Sequence, residues 1–120
     1  MGLLYSTYLD HPQQRERHIT TYTCNRCRTH LSMSNYILSS DFSGRTGDAF
    51  LVKYVVNVTE GELQRRKMTT GVYEVRNITC HQCNNLVGWR YVHAESPQQK
   101  YKEGNYILEI NCMYANGPES

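Results

Sequence analysis

No stretch of this 120-residue chain approaches the roughly 20 consecutive apolar residues that a membrane-crossing helix needs, so no membrane span is expected. Residues 1–20 also lack the basic start and apolar run of a secretory signal, which predicts an intracellular protein whose thiols stay reduced. The sequons Asn57-Val58-Thr59 and Asn77-Ile78-Thr79 are then accidental, because glycosylation needs the secretory route. Charge of one sign is scarce: 13 Lys and Arg against 11 Asp and Glu leave a formal +2, short of the basic stripe of a nucleic-acid binder. Nucleic acid is therefore not an expected partner. The glycines at 44 and 47 are not followed by the Lys-Ser/Thr of a P-loop, which excludes a phosphate cradle there. Apolar residues make up only 39%, and a single tryptophan stands beside ten tyrosines, so tyrosine and valine must supply much of the one core that a chain of this length can build.

Cysteine, by contrast, is present in a pattern. Cys24-Asn25-Arg26-Cys27 and Cys80-His81-Gln82-Cys83 are two Cys-x-x-Cys turns, each able to aim two sulfurs to one side. Together they supply four thiolates for one Zn²⁺ at about 2.3 Å each, a closed tetrahedron with no position left for substrate or water. Such a site is structural. Iron of rubredoxin type has the same ligand spacing, and four cysteines also allow two disulfides in three connectivities; zinc is the expected occupant of a reduced site. Fifty-two residues separate Cys27 from Cys80, so the metal pins distant parts of the chain, and folding should be coupled to metal loading. His30 and His81 lie near these cysteines, but four thiolates already fill the tetrahedron, which leaves both histidines outside the ligand set.

Residues 1–18 show no period and read as a flexible N-terminal arm; Met1-Gly2 with Ser6 fits the loose myristoylation pattern, without a basic cluster to support it. Residues 19–114 read as the domain and 115–120 as a frayed end. Ile19–Thr23 is a strand leading into the first turn, Tyr36–Leu38 a short strand, and Asp41–Asp48 a loop. From Ala49 to Val58 the alternation of Phe50, Val52, Tyr54, Val56 and Val58 predicts a half-buried strand. Glu60-Gly61 reads as a turn, and Leu63–Thr69, with Arg65-Arg66-Lys67, as a solvated edge strand guarded by its charge. Val72–Thr79 and Leu86–Ala94 are further strands, the second placing Val87, Trp89, Tyr91 and His93 on one face, with Gly88 marking a bulge or a close backbone approach. A last strand alternates through Tyr106, Leu108, Ile110, Cys112 and Tyr114, and Cys112 is expected to be an inert buried thiol.

Taken in order, Tyr22-x-Cys24-x-x-Cys27-x-x-His30-Leu31, Gly44-Arg45-Thr46-Gly47, Val55-Val56-Asn57-Val58, Thr70-Gly71, Cys80-x-x-Cys83, Val87-Gly88-Trp89-x-Tyr91 and Gln99-Lys100-Tyr101-Lys102-Glu103-Gly104 closely resemble the yippee family of small zinc-binding proteins, and Arg65-Arg66-Lys67-Met68 with the run to Leu108-Glu109-Ile110 resembles its fungal members most. The resemblance runs from about Ile19 to Met113. It implies an all-β fold, a β-tent of two antiparallel sheets meeting at an angle, pinned by one structural Zn²⁺ on Cys24, Cys27, Cys80 and Cys83. The related ligand-binding domain of cereblon holds its ligands in an aromatic cage. By that likeness Trp89, Tyr91 and Phe50 are candidate walls of a pocket for a small molecule or peptide.

Some yippee-like proteins are accessory subunits of ubiquitin ligases of the CTLH type, called GID in yeast, and none is known as an enzyme. The resemblance therefore implies a non-catalytic adaptor in cytoplasm and nucleus, whose partner is a scaffold subunit of such a ligase. The loops at 44–48 and 98–105, with Arg45, Lys100, Tyr101 and Lys102, are the candidate partner surface. The competing class is a reductase of methionine sulfoxide, which shares the zinc-pinned architecture and would need Cys112 as its nucleophile.

Overall fold

In a computed structural model of the protein, which describes residues 6–9 and 19–117, alternating apolar residues bounded by Gly, Asn and Cys turns fold into nine strands. These are β1 (Thr21–Cys24), β2 (His30–Met33), β3 (Ile37–Gly44), β4 (Gly47–Val52), β5 (Val58–Met68), β6 (Gly71–Cys80), β7 (Leu86–Ala94), β8 (Tyr106–Glu109) and β9 (Met113–Asn116). Three 3-10 turns, Ser34–Tyr36, Pro97–Lys102 and Ile110–Cys112, are the helical pieces among the described residues, and no helix is long and apolar enough to cross a membrane. The strands form two antiparallel sheets, a small one in the order β2-β1-β9 and a large one in the order β3-β4-β8-β7-β6-β5. Two open sheets pinned at one end are the β-tent that the sequence led us to expect.

One cluster fills the space between the sheets: Cys24, Leu31 and Met113 from the small sheet meet Val52, Ile78, Cys80, Val87 and Leu108 from the large one. Burying these side chains supplies the main stabilisation, at about 1.5–3 kcal/mol for each large one. The opposite face of the large sheet carries a second cluster of Ala49, Leu51, Tyr73, Val75, Trp89, Tyr91 and Ile107, with Phe42 and Met68 at its margin. The large sheet is thus apolar on both faces, and β4 is covered on both sides over Ala49–Val52. That corrects the half-buried strand expected over Ala49–Val58: Leu51 and Val52 are both buried, β4 ends at Val52, and Tyr54 is 45% exposed. It also corrects Phe50 as a wall of an aromatic pocket. Phe50 faces the small sheet and packs on Tyr22 at 5.4 Å between ring centroids, on the side of β4 away from Trp89.

Other departures have equally local causes. The expected loop at 41–48 is instead the end of β3, a tight connection at Arg45-Thr46, and the start of β4. Glu60-Gly61 is not a turn but an irregularity inside the eleven-residue β5, where the register on β6 shifts between Glu60 and Leu63. The expected last strand is cut by the turn at Ile110–Cys112, which carries the chain from the large sheet (β8) to the small one (β9), leaving Ile110 and Tyr114 exposed. Beyond it, Ala115 and Asn116 pair with β1 and extend the domain past the boundary set at 114, while 118–120 lie outside the described residues.

The arm assigned to residues 1–18 is described only at Ser6–Leu9, which are docked rather than free. The Thr7 amide donates to Asn57 Oδ1 at 2.7 Å, and Leu9 is buried with Ile19, Met33 and Val56.

Candidate functional site

The two cysteine turns are built alike. β1 delivers Cys24 and β6 delivers Cys80, each with its side chain fully buried in the core between the sheets. The Arg28 amide donates to the Cys24 carbonyl at 2.9 Å, and the Asn84 amide to the Cys80 carbonyl at 2.8 Å. The Cys24 and Cys80 amides in turn donate to Thr29 and Asn85 carbonyls, both at 2.8 Å. Each turn closes through a left-handed residue, Arg28 at φ 65° and Asn84 at φ 62°. That conformation is unfavourable for a residue with a Cβ, and it is held here by the closing hydrogen bonds.

The turns bring all four sulfurs within 4.8 Å of one another. Cys24 Sγ lies 3.6 Å from Cys83 Sγ and Cys27 Sγ lies 3.5 Å from Cys80 Sγ, close to the roughly 3.8 Å edge of a tetrahedron with Zn–S bonds of 2.3 Å. These separations are well beyond the roughly 2.05 Å of a disulfide bond, and all four are free cysteines. A compact set of four soft donors, half buried and half open, fits one structural Zn²⁺, with Cys24, Cys27, Cys80 and Cys83 to hold it.

Burial pushes the Cys83 thiol up to about 12, with Cys24, Cys27 and Cys80 adding to the rise. At Cys27 burial works the same way, but hydrogen bonds from Thr29, Cys80 and Cys83 outweigh it and bring the thiol down to about 7. Completing the site with a metal releases the protons these thiols hold.

Neither nearby histidine belongs to this set. His81 Nε2 is hydrogen-bonded to Ser6 Oγ at 2.9 Å, and His30 Nδ1 accepts the Leu9 amide at 2.9 Å. Burial lowers the pKa of His30 from 6.5, and a protonated Nδ1 has no lone pair for the Leu9 amide. The contribution of this contact is therefore complete above pH 6.5 and is lost as pH falls below it. Hydrogen exchange at the Leu9 amide is expected to accelerate by about tenfold between pH 7.5 and 5.5 after correction for intrinsic rates. Unchanged protection would show that the contact does not hold the segment.

Residues that sequence reasoning passed over complete the site. Asn85, 8% exposed, donates from Nδ2 to Asn25 Oδ1 at 2.9 Å and reaches toward Cys24 Sγ at 3.7 Å, tying one turn to the other. Glu109 is 1% exposed and accepts both the Thr46 amide (2.7 Å) and the Thr46 hydroxyl (2.6 Å). A Cβ on Gly44 would lie 2.7 Å from this carboxylate chain, so the Gly44-Arg45-Thr46-Gly47 motif is the seat of a buried glutamate. Alternation through Leu108 and Ile110 puts Glu109 on the polar face of its strand, so nothing in the sequence marks it as buried.

Of the candidate partner residues, Arg45, Tyr101 and Lys102 line one cavity on the outer face of the large sheet, but they differ in exposure. Tyr101 is 60% exposed, and Lys100 is open to solvent with Nζ on Glu103 at 3.1 Å. Arg45 is half exposed, 3.7 Å from Glu109, and donates to the Leu86 carbonyl. Lys102 is buried, 2% exposed, which corrects its assignment to a docking surface. Its Nζ donates to Tyr73 Oη at 2.9 Å and Thr70 Oγ1 at 3.1 Å, among the rings of Phe42, Tyr73, Tyr91 and Tyr101 at 5.0–5.8 Å.

The other structural feature is a cavity of about 700 Å³ on the outer face of the large sheet, lined by Trp89, Tyr91, Phe42, Tyr101, Arg66 and Lys102 among others. Phe42 occupies the wall that Phe50 was expected to form. Trp89 is 8% exposed, and its buried Nε1 lies toward the Tyr91 hydroxyl without reaching hydrogen-bond geometry. Burial pushes the Tyr91 hydroxyl up to about 12. Cys112 does not reach this cavity. It is 6% exposed in the cluster between the sheets, its pKa raised by burial and by the Glu109 charge.

Comparison with known proteins agrees with this architecture. Residues 20–117 match the family model described as Yippee zinc-binding/DNA-binding/Mis18, centromere assembly. A yippee-like protein of Schizosaccharomyces pombe is 45% identical over 89 residues, covering 74% of this chain and 68% of that one. Human yippee-like 3 is 39% identical over 109 residues, with 91% and 87% covered, and an Arabidopsis thaliana yippee-like protein is 48% identical over 88 residues, with 73% and 69% covered. Among solved structures the Yippee-like domain of Mis18 superposes with a TM-score of 0.68 at 16% identity, covering 85% of this chain and 99% of that one, a likeness of fold. With a family model spanning all nine of its strands, and relatives at 39–48% identity, this chain belongs to the yippee family.

Proposed function

We propose that the protein is a non-catalytic, zinc-stabilised binding module that serves as an accessory subunit of a CTLH- or GID-type ubiquitin ligase, docked on a scaffold subunit. The observation that carries the non-catalytic part is the closed centre: four thiolates satisfy the metal and leave it no position for substrate. The one thiol outside it, Cys112, is buried and shifted away from the thiolate form, which argues against a methionine sulfoxide reductase. Family membership supports the adaptor part. The surface suits a protein partner better than a nucleic acid, because Arg65, Arg90, Lys100 and Arg45 are each engaged by a carboxylate. Exposed apolar groups occur instead, among them Tyr54, stacked edge-on against Tyr36, and Leu38 nearby in β3. With this reading goes a location in cytoplasm and nucleus.

Affinity purification of the tagged protein from its own cells, beside a Leu38→Ser/Tyr54→Ser variant, tests it. Scaffold subunits of the ligase are expected in stoichiometric recovery with the parent chain and reduced on the order of tenfold with the variant, in keeping with the loss of two apolar contacts. Recovery of the folded, zinc-loaded chain alone would overturn the adaptor reading.

One observation favours a second reading, a small-molecule reader: the cavity at Trp89 falls within the usual 300–1,000 Å³ range of ligand sites and holds a buried, unpartnered N–H.

A further inference from the structure

We infer that the cavity at Trp89 takes a small aromatic carboxylate, an inference that rests on the second reading above and names its ligand class. Aromatic and apolar side chains, Phe42, Met68, Trp89, Tyr91 and Tyr101, make the walls, which suit a flat apolar body. The charges around it do not balance. Arg45 is answered by Glu109, and Asp41 stands exposed at the margin with its own amide on Ser39 Oγ. Arg66 and Lys102 remain. The Arg66 guanidinium, 5.8 Å from the Trp89 ring, donates to the neutral oxygens of Gln64 and Asn77 and is paired with no carboxylate among the described residues.

Lys102 is the stronger anomaly. Its ammonium offers three N–H groups, two of which reach the hydroxyls of Thr70 and Tyr73. What surrounds it otherwise is aromatic, and no described carboxylate is paired with it, although a buried charge ordinarily requires a counter-ion. Two further polar atoms in the lining are buried without partners, the donor Trp89 Nε1 and the acceptor Gln99 Oε1. A ring-bearing carboxylate with one hydroxyl answers the two cations, the aromatic walls and Gln99. The anion compensates Arg66 and Lys102, the ring stacks among the aromatic walls, and the hydroxyl suits Gln99.

4-Hydroxyphenylacetate is the probe for this class, and its amide, 4-hydroxyphenylacetamide, keeps shape and hydroxyl while removing the charge. Trp89, the sole tryptophan, reports from inside the cavity. Titration of the full-length zinc-loaded protein at pH 7 is expected to give a saturable change in Trp89 emission, with the acid bound on the order of tenfold more tightly than the amide. Lys102→Met, at a buried position, risks the fold, so the decisive variant is Arg66→Gln on the edge strand β5. It is expected to weaken the acid about fivefold or more and leave the amide unchanged. Equal or tighter binding of the amide would sink the anionic class and leave the cavity as a ligand site. No saturable response to either compound up to millimolar concentration would sink both.

Discussion

Replacing Cys80 by serine is expected to leave the chain without a cooperative fold, and chelating the metal from the parent protein should do the same. Cys80 ends β6 in the large sheet and is fully buried, while Cys24 ends β1 in the small one. The described direct links between these two ends are few: the Asn85–Asn25 hydrogen bond and the sulfur cluster itself. A structural zinc contributes about 10–16 kcal/mol in small finger peptides, whereas whole domains of ordinary stability retain only about 5–15 kcal/mol in total. Removing one thiolate therefore removes a term as large as the net stability, and it leaves three sulfurs crowded at the end of an apolar core. The check is metal analysis together with near-ultraviolet circular dichroism across a denaturant titration. The parent should carry one zinc and unfold in one transition; Cys80→Ser should carry none and show no transition.

Cys112→Ser is the control, with zinc stoichiometry unchanged because that sulfur belongs to the core and not to the centre. Loading should also weaken as pH falls, since Cys83 is pushed up to about 12 and its proton must leave for the metal to bind. A Cys80→Ser protein that still unfolds cooperatively, within about 2 kcal/mol of the parent, would refute the metal as the pin of this fold.

The metal centre was legible in the sequence because its requirement is local: two residues between cysteines set the turn, and four soft donors set the ion. β7 was legible for a similar reason, its extent of Leu86–Ala94 being marked at one end by the second cysteine turn and at the other by Ser96-Pro97. What sequence alone concealed depends on contacts across sheets. The alternation from Tyr106 to Tyr114 continues in the letters while the backbone turns at Ile110–Cys112, because passing from one sheet to the other needs a kink and not a change of residue type. Alternation through Phe50 and Trp89 also cannot say which face of a doubly covered sheet a ring occupies. Charged side chains are seldom fully buried, so neither Glu109 nor Lys102 stands out in the sequence as a core residue. Their burial makes sense only once Thr46 and the Tyr73 hydroxyl are brought to them by other strands.

Gly88→Ala is the single substitution outside the metal ligands for which the largest loss is expected. β7 pairs with β6 on one side and β8 on the other, and Gly88 sits opposite Ile78 and Leu108. Between Leu86 and Gly88, β7 carries one residue more than β6, so Val87 is the extra residue of a bulge and turns into the cluster between the sheets while Trp89 faces away. The bulge presses the two backbones together: a Cβ on residue 88 would lie 1.8 Å from the Ile107 carbonyl oxygen and 2.8 Å from its carbon. No rotamer change relieves a clash with backbone. β7 and β8 must part, and with them the ladder that runs through the middle of the large sheet and both of the clusters it separates. A cost on the order of 4 kcal/mol or more is expected, in the rare tail of single-substitution effects. Gly61→Ala is the matched control, because a Cβ there meets only the Asn77 carbonyl oxygen at an ordinary 3.5 Å, and a change within about 0.5 kcal/mol is expected. Denaturant midpoints read through Trp89 emission decide the matter. A Gly88→Ala midpoint close to that of Gly61→Ala would mean that the close approach of β7 to β8 yields at little cost and does not fix the position of Trp89.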